Sequence, residues 1–226
     1  MPYGAAMTFA AAPRAHRDPQ FLAAKLGRLE EPHLAPLSAF TRQVRRETGR
    51  EVPWFDPDSG GTQARALFLF EAPGARSTGP DGPRARAAGS RIISSDNNDG
   101  TAQNMWLLQQ QANLDRSTFL AWNIVPWYVG SGTRIREVDD NDLDEAATYL
   151  DRLLVLLPQL RLVVTFGDKP RKGWFRYLLN PEARLLPTLA VPHPSPQSIN
   201  VNKANKDLIL AGLRRAAQIT GGPTAR

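Results

Sequence analysis

The sequence predicts an α/β fold: a single domain of three layers, αβα, with a four-stranded parallel sheet flanked by helices. Three observations carry this. Four short apolar runs, at about residues 65–71, 118–125, 161–167 and 186–191, have the length and composition of buried strands. The stretches between them hold apolar residues at helical spacing, and strands alternating with helices imply parallel pairing through right-handed crossovers. No linker divides the 226 residues, and a hydrophobic content of 42% is ample for one core.

Residues 1–17 are Ala/Pro-rich and lack a periodic pattern, so a loose N-terminal arm is expected before a domain of residues 18–220. Phe21, Leu22, Leu26 and Leu29, then Leu37, Phe40 and Val44, read as one or two helices. A loop from Gly49 to Gln63 leads to the first strand. The long, glycine-dotted stretch from Gly74 to Gly100 is of the kind that is functional or disordered. Thr101 can cap a helix through Ala112, with Ala102, Met105, Trp106 and Gln109 on one face. After the second strand, Asn141-Asp142-Leu143-Asp144-Glu145 places acidic residues at the positive end of a helix dipole. Leu143, Ala147, Leu150 and Leu154 are its expected buried side, and Pro158 stops it. The third strand, a short helix at about 169–179, the fourth strand and a last helix at about 202–218 follow. Residues 221–226 form a frayed tail.

Absences narrow the chemistry. With no cysteine, disulfides, zinc–thiolate sites and cysteine-ligated iron–sulfur clusters are excluded. Three histidines, His16, His33 and His193, make a histidine-rich metal site improbable, so neither metal nor cofactor is expected. Apolar runs fall far short of a membrane span and the N-terminus lacks a signal h-region, so a cytoplasmic protein with no membrane partner is expected. The formal charge of +6 and pI near 10.0 allow a nucleic-acid partner without requiring one. Arg84, Arg86 and Arg91, then Lys169, Arg171 and Lys172, then Lys203 and Lys206, flank candidate site loops. Each cluster alone reads as a solvated face. Their shared placement is better explained by phosphate contacts.

Three segments have the form of a strand end carrying one polar group. Phe70-Glu71-Ala72-Pro73-Gly74 follows the apolar run Ala66-Leu67-Phe68-Leu69. Asn123 lies within Trp122-Asn123-Ile124-Val125-Pro126-Trp127. His193-Pro194-Ser195-Pro196-Gln197-Ser198 holds an imidazole between prolines that fix φ and restrict the preceding residue. Taken singly, the histidine block is an ordinary Pro-rich turn and the asparagine an Asx turn. Ligands bind at the carboxyl ends of strands in open α/β sheets, so three such ends can converge on one pocket.

In order and rough spacing these segments resemble the uracil-DNA glycosylase superfamily, over about residues 64–218. HPSP with its following serine is the most specific piece, and the EAPG block resembles the iron–sulfur branch. The lack of cysteine points to a cluster-free relative. The resemblance implies strand order 2-1-3-4 and a monofunctional, cofactor-independent glycosylase acting on uracil in single- or double-stranded DNA. A monomer is expected. Hydrolysis of the N-glycosidic bond needs a stabilised oxyanion on the base, a water beneath the sugar, and a base taken out of the stack.

On this resemblance His193 donates to the uracil carbonyl, and Asn123, held rigidly, reads the imide edge with one donor and one acceptor. Glu71 handles the water, contacts the sugar by its charge, or is a structural carboxylate in the turn. Ala72 stands where the best-known branch has a water-orienting aspartate. Asp96 and Asp99 are candidates for that missing group, or a capping and turn cluster. Ala72, Pro73, Gly74 and Ser195 are expected around the base. Gly74 leaves open the place of an aromatic that blocks the thymine methyl, and Ile92 is the expected flat wall where relatives stack an aromatic. Gln197 occupies the position of a gap-filling leucine or faces solvent, and with Ser198, Lys169 and Arg171 is expected on DNA. Trp127 is expected in the core. No lysine lies in these motifs to form a Schiff base, so strand cleavage is not expected.

Rival readings remain open. One is a broader glycosylase accepting thymine opposite guanine or deaminated purines. Another is a non-catalytic module that binds uracil or abasic sites in DNA. An unrelated nucleotide-binding α/β protein is disfavoured by the lack of a phosphate-cradling glycine motif.

Overall fold

The computed structural model describes residues 10–74, 89–131 and 134–221. In chain order these hold α1 (Pro19–Leu26), α2 (Ala35–Thr48), β1 (Trp54–Phe55), β2 (Ala66–Phe70), β3 (Ile92–Ile93), α3 (Gly100–Gln111), β4 (Phe119–Asn123), β5 (Gly130–Ser131), β6 (Arg134–Ile135), α4 (Asp140–Val155), β7 (Leu162–Phe166), α5 (Asp168–Leu178), β8 (Thr188–Val191), α6 (Pro196–Val201) and α7 (Ala204–Thr220).

The main sheet is parallel and runs β4-β2-β7-β8, the expected order 2-1-3-4. Central strand β2 is apolar at every position because both its faces are covered. One face packs Leu67, Leu69, Leu120, Trp122 and Val163 against α2, α4 and α5 through Phe40, Val44, Leu153 and Trp174. The other packs Ala66, Phe68, Phe119, Val164 and Phe166 against α3 and α7 through Met105, Leu108, Ile209 and Leu213. Trp127 is buried in the first core, with its ring edge-on to Tyr149. Parallel register sets Phe70 beside Asn123 and Phe166 beside Val191, so the strands end in one row.

Several local expectations are corrected. Asp99, not Thr101, caps α3, its carboxylate accepting the Ala102 N–H at 2.9 Å. Ala146 rather than Ala147 is buried on α4, whose start is a capping box of Asp139 and Asp142. The stretches around Trp54 and Ile92, expected as loops, pair as a two-stranded parallel sheet. Pro196 starts α6, because Ser195 accepts the Ser198 N–H at 3.2 Å and proline needs no partner at a first helical position. At the end of the arm, His16 is buried and its backbone N–H donates to the Asp96 carbonyl at 3.0 Å. Arg84 and Arg86 lie outside the described residues.

Candidate active site

A cavity of about 540 Å³ opens where β2 and β4 end. Its walls come from the expected segments and from α3. Ala72, Pro73 and Gly74 follow β2, Asn123 ends β4, and His193 follows β8; Ser94, Ser95, Asn97 and Asp99 lead into α3, which adds Ala102, Met105 and Gln109. Parallel strands end together, so residues more than a hundred positions apart share one mouth.

His193 is half-buried, and three neighbours fix it. The Asn104 amide donates to the Pro194 carbonyl at 2.8 Å, holding the loop on α3. The Phe70 ring lies edge-on to the imidazole at 6.3 Å. The Ser195 backbone N–H donates to Nδ1 at 3.2 Å, so Nδ1 is an acceptor and the ring proton belongs on Nε2. Burial pushes the His193 pKa below its ordinary value, against an opposing pull from Asp99. The group is therefore a neutral imidazole with one N–H to give.

Asn123 is 5% exposed and lines the cavity. Its amide makes no hydrogen bond among the described residues. The expected rigid hold on the amide is thus not supplied by a hydrogen bond here.

Other expected residues fall elsewhere. Ile92 is wholly buried, and alternation along β3 turns Ile93 into the cavity instead. Ser195 caps α6 and holds the imidazole rather than lining the cavity. Glu71 faces an adjoining groove of about 610 Å³, shared with His193, Lys169, Arg171 and Ser198. Its carboxylate accepts no hydrogen bond among the described residues. Lys169 donates to the Val138 carbonyl at 2.7 Å, and Arg171 pairs with Asp168 at 2.9 Å. Gln197 is exposed on the first turn of α6. The amide of Asn205 donates to the Ser198 carbonyl at 3.0 Å.

Asp96 is not at the cavity surface. It is fully buried, paired through both oxygens with Arg116 at 2.6 and 2.7 Å and with Lys25 at 2.6 Å. Lys25 also meets Asp56 at 2.7 Å and Asp58 at 2.9 Å, and Arg28 reaches Asp58 at 2.6 Å. Burial opposes the charged forms, yet the mutual pairing wins: Lys25 is held above its ordinary pKa, and Asp56 and Asp96 well below theirs. Asp56 and Arg116 back the cavity, and Ser94 donates to Asp56 while Ser95 accepts from Arg116. Nothing in the sequence pairs these residues, which come from α1, two loops and the approach to β4. Phe70 was also missed as a lining residue. It stacks on Phe166 at 4.6 Å and presents an aromatic wall at the mouth.

The arrangement offers one neutral N–H donor, the side-chain amides of Asn123 and Gln109, and apolar walls, which suits a flat heterocycle with polar edges. Among the described residues no cluster of His, Asp and Glu could hold a metal ion.

Among protein families, the model of the uracil DNA glycosylase superfamily matches residues 57–214, which hold all four strands of the main sheet. No curated protein matches the sequence. Among solved structures, the chain is similar to the solution structure of a candidate uracil DNA glycosylase from Methanosarcina acetivorans, at 18% identity and a TM-score of 0.43, over 69% of this chain and 92% of that one. It is also similar to the wild-type SMUG2 of Pedobacter heparinus, at 11% identity and a TM-score of 0.49, over 80% of this chain and 82% of that one.

Proposed function

Because the chain belongs to the uracil-DNA glycosylase superfamily, we propose that it hydrolyses the N-glycosidic bond of uracil in DNA, as a monofunctional enzyme that leaves an abasic site. The observation that carries this reading is Asn123, an amide 5% exposed at the cavity mouth with no hydrogen-bond partner among the described residues. It matches the N–H and C=O of the uracil imide, the edge that a base taken out of the stack presents.

Uracil entering with this edge on Asn123 turns a carbonyl oxygen toward His193. As the glycosidic bond breaks, its electron pair passes to the base, and Nε2–H donates to the oxygen where charge gathers. A neutral imidazole suits this task, because it stabilises the anion without first losing a proton to water. Water adds to C1′, and one of its protons ends on the departing base. The sugar and phosphates of the flipped nucleotide lie outside the cavity, along the groove that holds Glu71. Its carboxylate, without a partner among the described residues, favours the positive charge that builds on the sugar. Phe70 and Ile93 supply the apolar walls in place of the expected Ile92.

The test is alkali-dependent cleavage of end-labelled single- and double-stranded oligonucleotides carrying one uracil. The wild-type protein is expected to cut at uracil, and His193→Ala and Asn123→Ala to lose about 10²–10³ in rate. Binding to the same DNA without any cleavage would overturn the enzyme and favour a binding module.

A further inference from the structure

One wall of the cavity is the turn between β3 and α3, where Ser94, Ser95, Asn97, Asp99 and Gly100 line it. Loops at binding sites belong to the least stable parts of a fold unless distant contacts tie them. Here the ties come from the N-terminal arm, which precedes the residues 57–214 matched by the family. The His16 backbone N–H donates to the Asp96 carbonyl at 3.0 Å. Its Nδ1 lies 2.8 Å from Oδ1 of Asn97, whose own amide N–H donates to the Ile92 carbonyl at 2.9 Å. That second bond fixes the amide, so Oδ1 accepts and the His16 proton belongs on Nδ1. Arg17 Nε donates to Asn98 Oδ1, and Arg14 Nε to Gln103 Oε1, both at 2.8 Å. The His16 ring is buried beside Phe21 of α1, with centroids 6.0 Å apart. On its other side the turn meets the histidine loop. Asn104 holds the Pro194 carbonyl, and a Cβ built on Gly100 would come 2.5 Å from the Pro196 ring. Arm, turn and histidine loop are thus in contact, in that order.

We propose that residues 14–17 brace the active site and that His16 is a positioning residue for excision. The inference rests on the glycosylase reading given above. His16 does not line the cavity; it acts through Asn97, which does. Without the His16 N–H, the Asn97 amide keeps its bond to Ile92 and loses the one that ties it to the arm. The turn then gains other positions, and Asp99, Gly100 and the loop carrying His193 shift with it. A misplacement of about 1 Å at reacting groups can cost about 10²-fold in rate. The loss falls on the chemical step rather than on DNA affinity, because the groove of Lys169, Arg171 and Ser198 is built from other segments.

The experiment measures single-turnover uracil excision and the Kd for the same duplex, with the folded fraction set by urea titration. His16→Phe keeps a ring beside Phe21 but removes the N–H, whereas His16→Asn places an amide N–H where Nδ1–H stands. His16→Phe is expected to lower the rate per folded molecule by about 10-fold or more at unchanged Kd, and His16→Asn to recover most of it. A wild-type rate in folded His16→Phe would overturn the inference, as would a loss that weaker DNA binding explains or that His16→Asn shares in full. If His16→Phe does not fold, Arg17→Met with Gln103→Met cuts the two outer ties without touching the core. The same fall in rate at unchanged Kd is expected there, and a wild-type rate would again overturn the brace. Wild-type protein that excises no uracil would remove the glycosylase reading itself, whereas active wild type with unaffected variants removes the brace alone.

Discussion

Gly167 lies directly against His193: a Cβ built on the glycine would come 3.3 Å from the Cβ of the histidine. Gly167 leaves β7 at φ 98° and ψ −178°, a conformation essentially reserved for glycine. Bare backbone at the end of β7 lets the loop after β8 close over it and bring the imidazole into line with Phe70 and Asn123.

Gly167→Ala is therefore expected to cost about 1–3 kcal/mol of stability and to lower uracil excision by more than its loss of folded protein explains. Urea denaturation and single-turnover excision on the same preparation measure both. Full activity in the folded fraction would show that the close approach does not position the imidazole.

The acid limb of activity reports on His193. Burial lowers its pKa, so on acidification the folded protein stays neutral at this ring while the unfolded chain takes up a proton. Nδ1 accepts a backbone N–H, and its protonation breaks that contact. Excision is expected to hold steady at neutral pH and to fall with a midpoint below about pH 6.5. The same sign applies to stability: the group adds no penalty above that pH and a growing one below it, down to the folded-state pKa. A midpoint at or above the ordinary histidine value would contradict the buried, neutral ring.

Lys25 holds three buried carboxylates together. Lys25→Met leaves Arg116 and Arg28 to balance three carboxylates and takes the nearest cation from Asp56, and an expected cost of about 3–5 kcal/mol follows, read as a lower urea midpoint. Asp56 and Asp96 titrate below their ordinary range, so the stability they contribute is present above it and lost only as pH falls through the lowered values. Wild-type protein should keep its urea midpoint through mildly acidic pH as far as this cluster is concerned. A variant as stable as wild type would show that the cluster repacks without its cation.

The basic residues divide into two kinds. Lys203 and Lys206 are exposed and form no ion pair among the described residues, whereas Arg171 is paired with Asp168. Replacing Lys203 or Lys206 by alanine should weaken DNA binding and reduce the log–log salt slope by about 0.9 each if each meets one phosphate. Arg171→Ala should reduce it less. Fluorescence anisotropy over a salt series decides this, and equal slopes in all variants would remove these lysines from the interface.

Much of this was legible in the sequence because it is local. The apolar run of residues 66–70 must be a buried strand, Asp142 sits at a helix start whatever surrounds it, and the prolines around His193 restrict its backbone before any packing occurs. The order of the motifs carried the resemblance, and with it the strand order. What the chain could not show depends on contacts between distant residues. Ile93 rather than Ile92 faces the cavity because pairing with β1 fixes the alternation of β3. Asp96 is a structural ion because Lys25 and Arg116 arrive from elsewhere, and Glu71 faces the groove because it alternates with Phe70, which lines the cavity. Gln109, one helical position among several polar ones, lines the cavity only because α3 packs over the sheet. Local conformational preference and apolar periodicity determined the elements; burial and charge pairing, which act only between segments brought together, decided which side chains are left with something to bind.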